Sequence, residues 1–286
     1  MTSNQCIPDH TAGCAPERLA VVISTYNNPE YLRLALEGYR QQHCHDFSIY
    51  IADDGSGADT QQCIEYIRQD FPTPIEYIWH EDRGFRKARV HNLALARIQE
   101  PYILLTDGDC IPLPHLVETH LRFASTGSFI SGSRVLLSEN WSKRLFLHGE
   151  LDTDMPAMQW LWHRLKSDIN RLAPLLSPVS LSAPNTRLGG IRGCHLSCYR
   201  DDLIRINGFD ESYEGWGRED SDLVARLFHA GLTRRNLHGM PVLHLWHDEY
   251  SRKRLDANDD LLQACIHERR IEARTGLKQL EVPEHE

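Results

Sequence analysis

This sequence predicts an α/β fold built on a mixed, mostly parallel sheet flanked by helices, and three observations carry that expectation. Short apolar runs alternate with amphipathic stretches through the first half of the chain. The runs are apolar at consecutive positions, as strands covered on both faces must be. Two of them end directly in acidic and small residues, Asp53-Asp54-Gly55-Ser56 and Asp107-Gly108-Asp109, at the strand ends where open parallel sheets gather their ligands.

Taken in order, Leu19 to Ser24 is the first strand, and Asn28-Pro29 supplies the N-cap and first-turn proline of a helix reaching about Gln41. Phe47 to Ala52 and Ala58 to Gln69 repeat the unit, Ile75 to Trp79 and Phe85 to Ile98 make a third, and Tyr102 to Thr106 closes the series. Right-handed crossovers then give a parallel sheet. Ser128 to Leu137 reads as a further strand, after which residues 138–184 form a variable segment rich in Trp, Leu and Pro. Within it Met155, Met158, Leu161, Trp162, Leu165, Ile169 and Leu172 recur at helical spacing, with Arg164, Lys166 and Arg171 off the stripe. The stripe predicts a helix packed on the core; the alternative is an interfacial helix making peripheral contact with an anionic membrane, Trp160 at headgroup level. Regular structure resumes with Gly189 to Tyr199, a helix from Arg218 to Ala230, the apolar run Pro241 to Trp246 and a charged terminal helix. The organisation expected is a frayed tail 1–18, a domain 19–250 with halves 19–127 and 128–250, and a C-terminal helix 251–286.

With 286 residues, 41% hydrophobic and 25% charged, the chain can bury one substantial core. A formal charge of -9 argues against a nucleic-acid partner. Neither a run of roughly 20 apolar residues nor a basic-then-apolar leader is present, so the expectation is a cytoplasmic protein. The eight cysteines are scattered, which fits reduced thiols.

The chemistry sits in two acidic clusters. Asp107 and Asp109 alternate about a glycine beyond a strand, where carboxylates can hold a divalent cation against a diphosphate. Gly215-Trp216-Gly217-Arg218-Glu219-Asp220-Ser221-Asp222 places carboxylates at a helix start, where one can act as a general base, beside an indole that offers a flat face to a sugar. Acidic residues at a helix N-terminus are also favoured by the dipole alone, but that does not account for Gly-Trp-Gly before them. Adjacent carboxylates cannot readily flank a glycosidic bond at the usual separation of about 5 Å or more, which argues against hydrolysis.

Val21 to Asn27, Ala52 to Ser56, Asp107 to Asp109 and Gly215 to Asp222 occur in one order that resembles the family 2 glycosyltransferases of the GT-A fold. The last block is also similar to the acceptor-side motif of β1,4-galactosyltransferases and bacterial chondroitin polymerases. The resemblance spans Leu19 to Tyr250 and implies a Rossmann-like nucleotide half. It assigns Ser24, Thr25, Tyr26 and Asn27 to the nucleotide base, Asp54 to the imino proton of uracil, Arg86 to the diphosphate and Gly190 to the donor sugar. Lys87 and Arg89 read equally as a solvated basic face. Asp107 would lie near the ribose and metal-bound water, and Asp109 with His244 would ligate Mn2+, or Mg2+ as the alternative; His247 is left between metal and phosphate. Trp216 and Glu219 would hold the acceptor and Asp220 would be the base. The implied function is inverting, metal-dependent transfer of a hexose or N-acetylhexosamine from a UDP-sugar to a glycan or lipid-linked glycan in bacterial surface polysaccharide or lipopolysaccharide synthesis. The alternative is a non-catalytic sugar- or nucleotide-binding protein on the same scaffold, suggested by His91 and His195 where the family often carries Arg and Asn.

Overall fold

A computed structural model describes residues 16–149, 151–248 and 252–280. The expected tail, apart from its last three residues, lies outside these. The nucleotide half follows the sequence closely: β1 (Leu19–Thr25), α1 (Pro29–Arg40), β2 (Phe47–Asp53), α2 (Ala58–Ile67), β3 (Ile75–Trp79), α3 (Lys87–Leu95) and β4 (Tyr102–Asp107). These strands lie in the order β3-β2-β1-β4, all parallel. Alternate residues of β1 feed two cores, Leu19, Val21 and Ile23 on one side and Ala20 and Val22 on the other, which is why the run carries no polar period. The register pairs Thr25 with Asp53 and Ser24 with Asp107. Every acidic strand end of this half therefore reaches one edge.

The second half runs through β5 (Cys110–Ile111), α4 (Leu116–Phe123), β6 (Ser128–Ser131), β7 (Arg134–Leu136), α5 (Glu139–His148), α6 (Ala157–Leu165), α7 (Ala173–Leu176) and β8 (Ser180–Leu181). Then come β9 (His195–Tyr199), α8 (Arg200–Arg205), α9 (Glu219–His229), β10 (Thr233–His238), β11 (Val242–His244) and α10 (Leu255–Glu268). The main sheet continues past β4 as β9-β6-β10-β8, with β9 antiparallel to both its neighbours. A second, small sheet has the order β5-β11-β7. That small sheet brings Asp109, Arg134 and His244 to the same edge as Asp107.

Four expectations need correction. Ser128 to Leu137 is two strands in two sheets, because Gly132 turns the chain: its N–H donates to the His195 carbonyl at 2.8 Å, and a Cβ there would meet the His195 ring at 2.2 Å. The strand expected from Gly189 begins only at His195, since the Arg234 guanidinium gathers the carbonyls of Arg187, Gly189 and Gly190 into a turn. The C-terminal helix stops at Glu268 where Arg269 turns left-handed (φ 50), and Asn207 ties down the return through Ala273, Gln279 and Lys278.

The fourth concerns α6. Trp160 and His163 face inward, Trp160 edgewise on Trp141 and the His163 ring stacked on Trp141 at 4.2 Å, while Met158, Leu161, Trp162 and Leu165 face solvent. Both faces of this helix carry large apolar groups, so spacing alone does not decide between them; aromatic packing on Trp141 does. No helix among the described residues is long and apolar enough to cross a membrane.

Candidate active site

At the open edge of the sheet lies a cavity of about 410 Å³, within the range of small-molecule sites. Its nucleotide end is built by the turns after β1 and β2. Gly55 (φ +96) lets the second turn lie against the Asp82 backbone, 2.6 Å from where a Cβ would stand. Asp54 is buried, with Oδ1 2.7 Å from His80 Nε2 and Oδ2 accepting the Arg86 N–H at 2.8 Å. The Tyr26 ring stays half-exposed on the cavity wall while its hydroxyl donates to Asp82. A planar face beside an oriented carboxylate is the pair of features a pyrimidine base uses.

In the middle, Lys87 opens α3 and donates to Asp107 Oδ1 at 2.6 Å, the same oxygen that accepts from Ser24 Oγ at 2.8 Å. Burial opposes the ammonium charge, but Asp107, Glu219 and Asp220 outweigh it and raise the pKa of Lys87. Of the basic stretch, this side chain takes the cavity position; the Arg86 guanidinium instead donates to the Glu81 carbonyl.

Beside Asp107 three ligand atoms converge. Asp109 Oδ2 lies 3.2 Å from His247 Nε2 and 3.6 Å from His244 Nε2. All three donor atoms fall within 4.8 Å of one another, the one such cluster among the described residues. His247 Nδ1 is 2.7 Å from the Asp248 carbonyl and must donate to it, so a neutral His247 presents its Nε2 lone pair toward the carboxylate. Acceptor atoms at this separation need a proton or a cation between them. The hydrogen bond to Asp109 raises the pKa of His247, whereas burial lowers that of His244. One carboxylate and two imidazoles fit a divalent transition ion better than Mg2+.

Trp216 and Glu219 also line the cavity, with Arg252 over the Trp216 ring, and Arg134 and Leu136 complete its lining. Burial, reinforced by Asp220, pushes the Glu219 carboxyl up to about 7. Asp220 stands behind it: Oδ2 accepts the Gly193 N–H at 3.0 Å, and the side chain lines a small adjoining void with Lys87, His91 and Glu219.

The cavity thus collects Ser24, Thr25, Tyr26, Asp54, Asp107, Asp109, Trp216, Glu219 and His244. Asn27, Arg86, Gly190 and Asp220 are not on its wall: Asn27 and Arg86 brace it from behind, and Gly190 sits in the exposed turn held by Arg234. Arg134 was missed because it lies inside what reads as one strand. Tyr31, whose hydroxyl donates to the Trp246 carbonyl, carries no motif at all. His91 and His195, the two departures from the family pattern, are both buried; His91 stacks on Phe209 and His195 lies in the core.

The glycosyl transferase family 2 profile matches residues 20–175. The chain belongs to glycosyl transferase family 2. A second profile, described as the N-terminal domain of galactosyltransferase, matches residues 175–248, the part that carries Trp216, Glu219 and both imidazoles. Chondroitin synthase of Escherichia coli is 26% identical over 241 residues, 79% of this chain and 34% of that protein. Validoxylamine A glucosyltransferase of Streptomyces hygroscopicus subsp. jinggangensis is 26% identical over 235 residues, 78% of this chain and 52% of that protein. The chain spans about a third of the chondroitin synthase that it matches. Among solved structures, S. aureus TarS residues 1–349 in complex with UDP-GlcNAc has a TM-score of 0.60 at 12% identity, covering 91% of this chain and 68% of that one. The family 2 chain therefore has the same GT-A fold.

Proposed function

We propose that this protein transfers a hexose or N-acetylhexosamine, with inversion, from a UDP-sugar to a glycan or lipid-linked glycan acceptor, and that it serves bacterial surface polysaccharide synthesis at the cytoplasmic face of the membrane. The observation that carries the reading is the Asp109, His244 and His247 cluster on the wall of one cavity that is also lined by Tyr26, Asp54, Trp216 and Glu219. TarS, named in complex with UDP-GlcNAc, supports the choice of donor nucleotide.

Asp109, His244 and His247 would hold Mn2+, which when bound neutralises the diphosphate of the leaving group without a proton. This chain's own groups do the rest. Tyr26 and Asp54 orient the base, and Lys87 lends positive charge beside Asp107. Trp216 stacks the acceptor ring while Glu219 fixes its hydroxyls. Asp220 takes the proton of the attacking hydroxyl once its carboxylate leaves the Gly193 N–H, and a single displacement of this kind inverts the anomeric centre. A non-catalytic relative would be expected to lack a ligand or the base, and this chain keeps both.

The test is calorimetric titration with UDP and a panel of UDP-sugars, with and without Mn2+, on the natural protein and on Asp109→Asn. Mn2+-dependent binding that Asp109→Asn abolishes supports the reading. Binding indifferent to Mn2+, or absent with every uridine nucleotide, overturns it.

A further inference from the structure

The outward face of α6 does the opposite of what a surface helix does. Met158, Leu161, Trp162 and Leu165, at i, i+3, i+4 and i+7, form one stripe, with Met158, Trp162 and Leu165 respectively 74%, 51% and 76% exposed. A continuous apolar stripe turned to solvent marks a contact surface. The inward face is fully committed: Trp160 and His163 pack on Trp141, and His163 Nδ1 lies 2.9 Å from Asp168. Among the described residues nothing covers its outward apolar side.

From the first turn of α6 to the end of α7 the exposed charges have one sign, the exposed acids Asp152 and Asp154 preceding the helix. From Pro156 to Leu176 the exposed charged residues are Arg164, Lys166 and Arg171, in a protein whose formal charge is -9. The single acid of that stretch, Asp168, is buried and consumed by Arg144 and His163. Lys166 Nζ sits 3.3 Å from the centre of the Trp162 ring, an ammonium lying on an indole. The segment is also fixed to the cavity. Asn170 exchanges two hydrogen bonds with the Leu136 backbone, and Arg171 donates to the Arg134 carbonyl, so the segment following α6 is tied to β7, whose Arg134 and Leu136 line the cavity.

We propose that α6 docks this protein on an anionic lipid surface, its four apolar side chains entering the interface and Arg164, Lys166 and Arg171 meeting the headgroups. A second copy is the poorer occupant. A symmetric contact would set the same cations against one another, and four side chains fall well short of the roughly 800 Å² per partner of a stable interface.

The experiment is co-sedimentation of the full chain with vesicles of phosphatidylglycerol and phosphatidylethanolamine against vesicles of phosphatidylcholine alone, with light scattering on the free protein. The expected result is binding to the anionic vesicles that high salt weakens. Arg164→Glu with Lys166→Glu should weaken it on the order of 100-fold, and Met158→Ser with Leu165→Ser about 10-fold or more. All four positions are solvent-facing, so melting temperature and UDP binding should not change, which separates failure of docking from failure of the donor site. Equal binding to both vesicle types, no binding to either, or a concentration-dependent dimer that Leu165→Ser dissolves would overturn the proposal.

Discussion

Lys87 Nζ stands 2.6 Å from Asp107 Oδ1 at the centre of the cavity, with Ser24 Oγ on the same oxygen. The contact joins the first turn of α3 to the end of β4 and gives the cavity its one lining lysine among the described residues. A cation at a helix N-terminus is opposed by the dipole, so the site maintains it with carboxylates. Lys87→Met removes that charge and leaves Asp107 partly buried without its ion-pair partner. UDP affinity should fall about 10-fold or more, and folding stability by about 1–3 kcal/mol. Lys87→Arg, with a longer and forked head, should fold normally and recover less than full affinity. Calorimetry with UDP and Mn2+ reads the first effect, and chemical denaturation the second.

His247 divides two readings that the sequence leaves open. If it ligates the ion with Asp109 and His244, His247→Ala should weaken Mn2+ binding, measured directly by titration without nucleotide, by at least the roughly 10- to 100-fold seen when a ligand's support is lost. If it touches only phosphate, Mn2+ affinity without nucleotide stays put and UDP affinity alone falls. The distances of 3.2 and 3.6 Å to one Asp109 oxygen favour the first outcome.

Glu219 and Asp220 are adjacent in sequence but occupy different surroundings, and kinetics should separate them. Asp220→Asn is expected to cut turnover about 100-fold or more with donor affinity intact, as loss of a general base does. Glu219→Gln should raise the acceptor KM and lower turnover less. A result in which Glu219→Gln is the more damaging to turnover would move the base to the carboxylate already on the cavity wall.

The raised pKa of Glu219 also has a thermodynamic consequence. Unfolded, the carboxyl titrates near its ordinary 4.5; folded, it titrates at about 7. Between those values the native protein holds a proton that the unfolded chain has lost, so the native state is favoured at low pH and that increment disappears as pH rises through about 7. Glu219→Gln abolishes the titration. Relative to the natural protein it should gain stability on going from pH 5 to pH 8, by about 1–3 kcal/mol, measured as denaturation midpoints across that range. An unchanged difference between pH 5 and pH 8 would show that the carboxyl titrates normally.

How much was legible before the structure depended on whether a signal was local. The β1 to β4 half was readable almost residue by residue, because strands buried on both faces leave continuous apolar runs and their acidic ends are forced to one edge by parallel pairing. Trp216, Glu219, Asp109 and His244 were readable as motifs. Arg134 and Tyr31 were not, since each reaches the cavity through pairing or packing with residues about a hundred or more positions away, Arg134 through Val242 and Tyr31 through Trp246. The facing of α6 was illegible for a different reason: its two faces are both apolar, and only the location of Trp141 chooses. His195 is the same lesson in the core, where a residue that looks like a donor-site substitution is bonded to His120.

That last contact belongs to a chain of hydrogen bonds with one consistent direction, and it makes a sharp prediction. His195 Nδ1 must donate to the Ser133 carbonyl at 3.0 Å, so its Nε2 accepts from His120 Nε2 at 2.9 Å; His120 Nδ1 then accepts from Ser197 Oγ at 2.7 Å, which in turn accepts from Tyr102. In this arrangement every group is satisfied with both imidazoles neutral. A proton on His195 Nε2 would point N–H at N–H across 2.9 Å, and one on His120 Nδ1 would face the Ser197 O–H that now donates to it, both in a fully buried site. Burial accordingly lowers His195 to about 4 and His120 well below its ordinary value. With folded values below the unfolded 6.5, the unfolded state binds protons first on acidification, so this stability is complete above 6.5 and is lost as pH falls toward 4. His120→Leu removes one titrating group and leaves His195 Nε2 without its donor and the Ser197 O–H without its acceptor. It should therefore cost about 2–4 kcal/mol at pH 7.5 and yet show a shallower loss between pH 6.5 and pH 4. Parallel pH profiles for the variant and the natural protein, displaced but equal in slope, would show that acid sensitivity arises elsewhere.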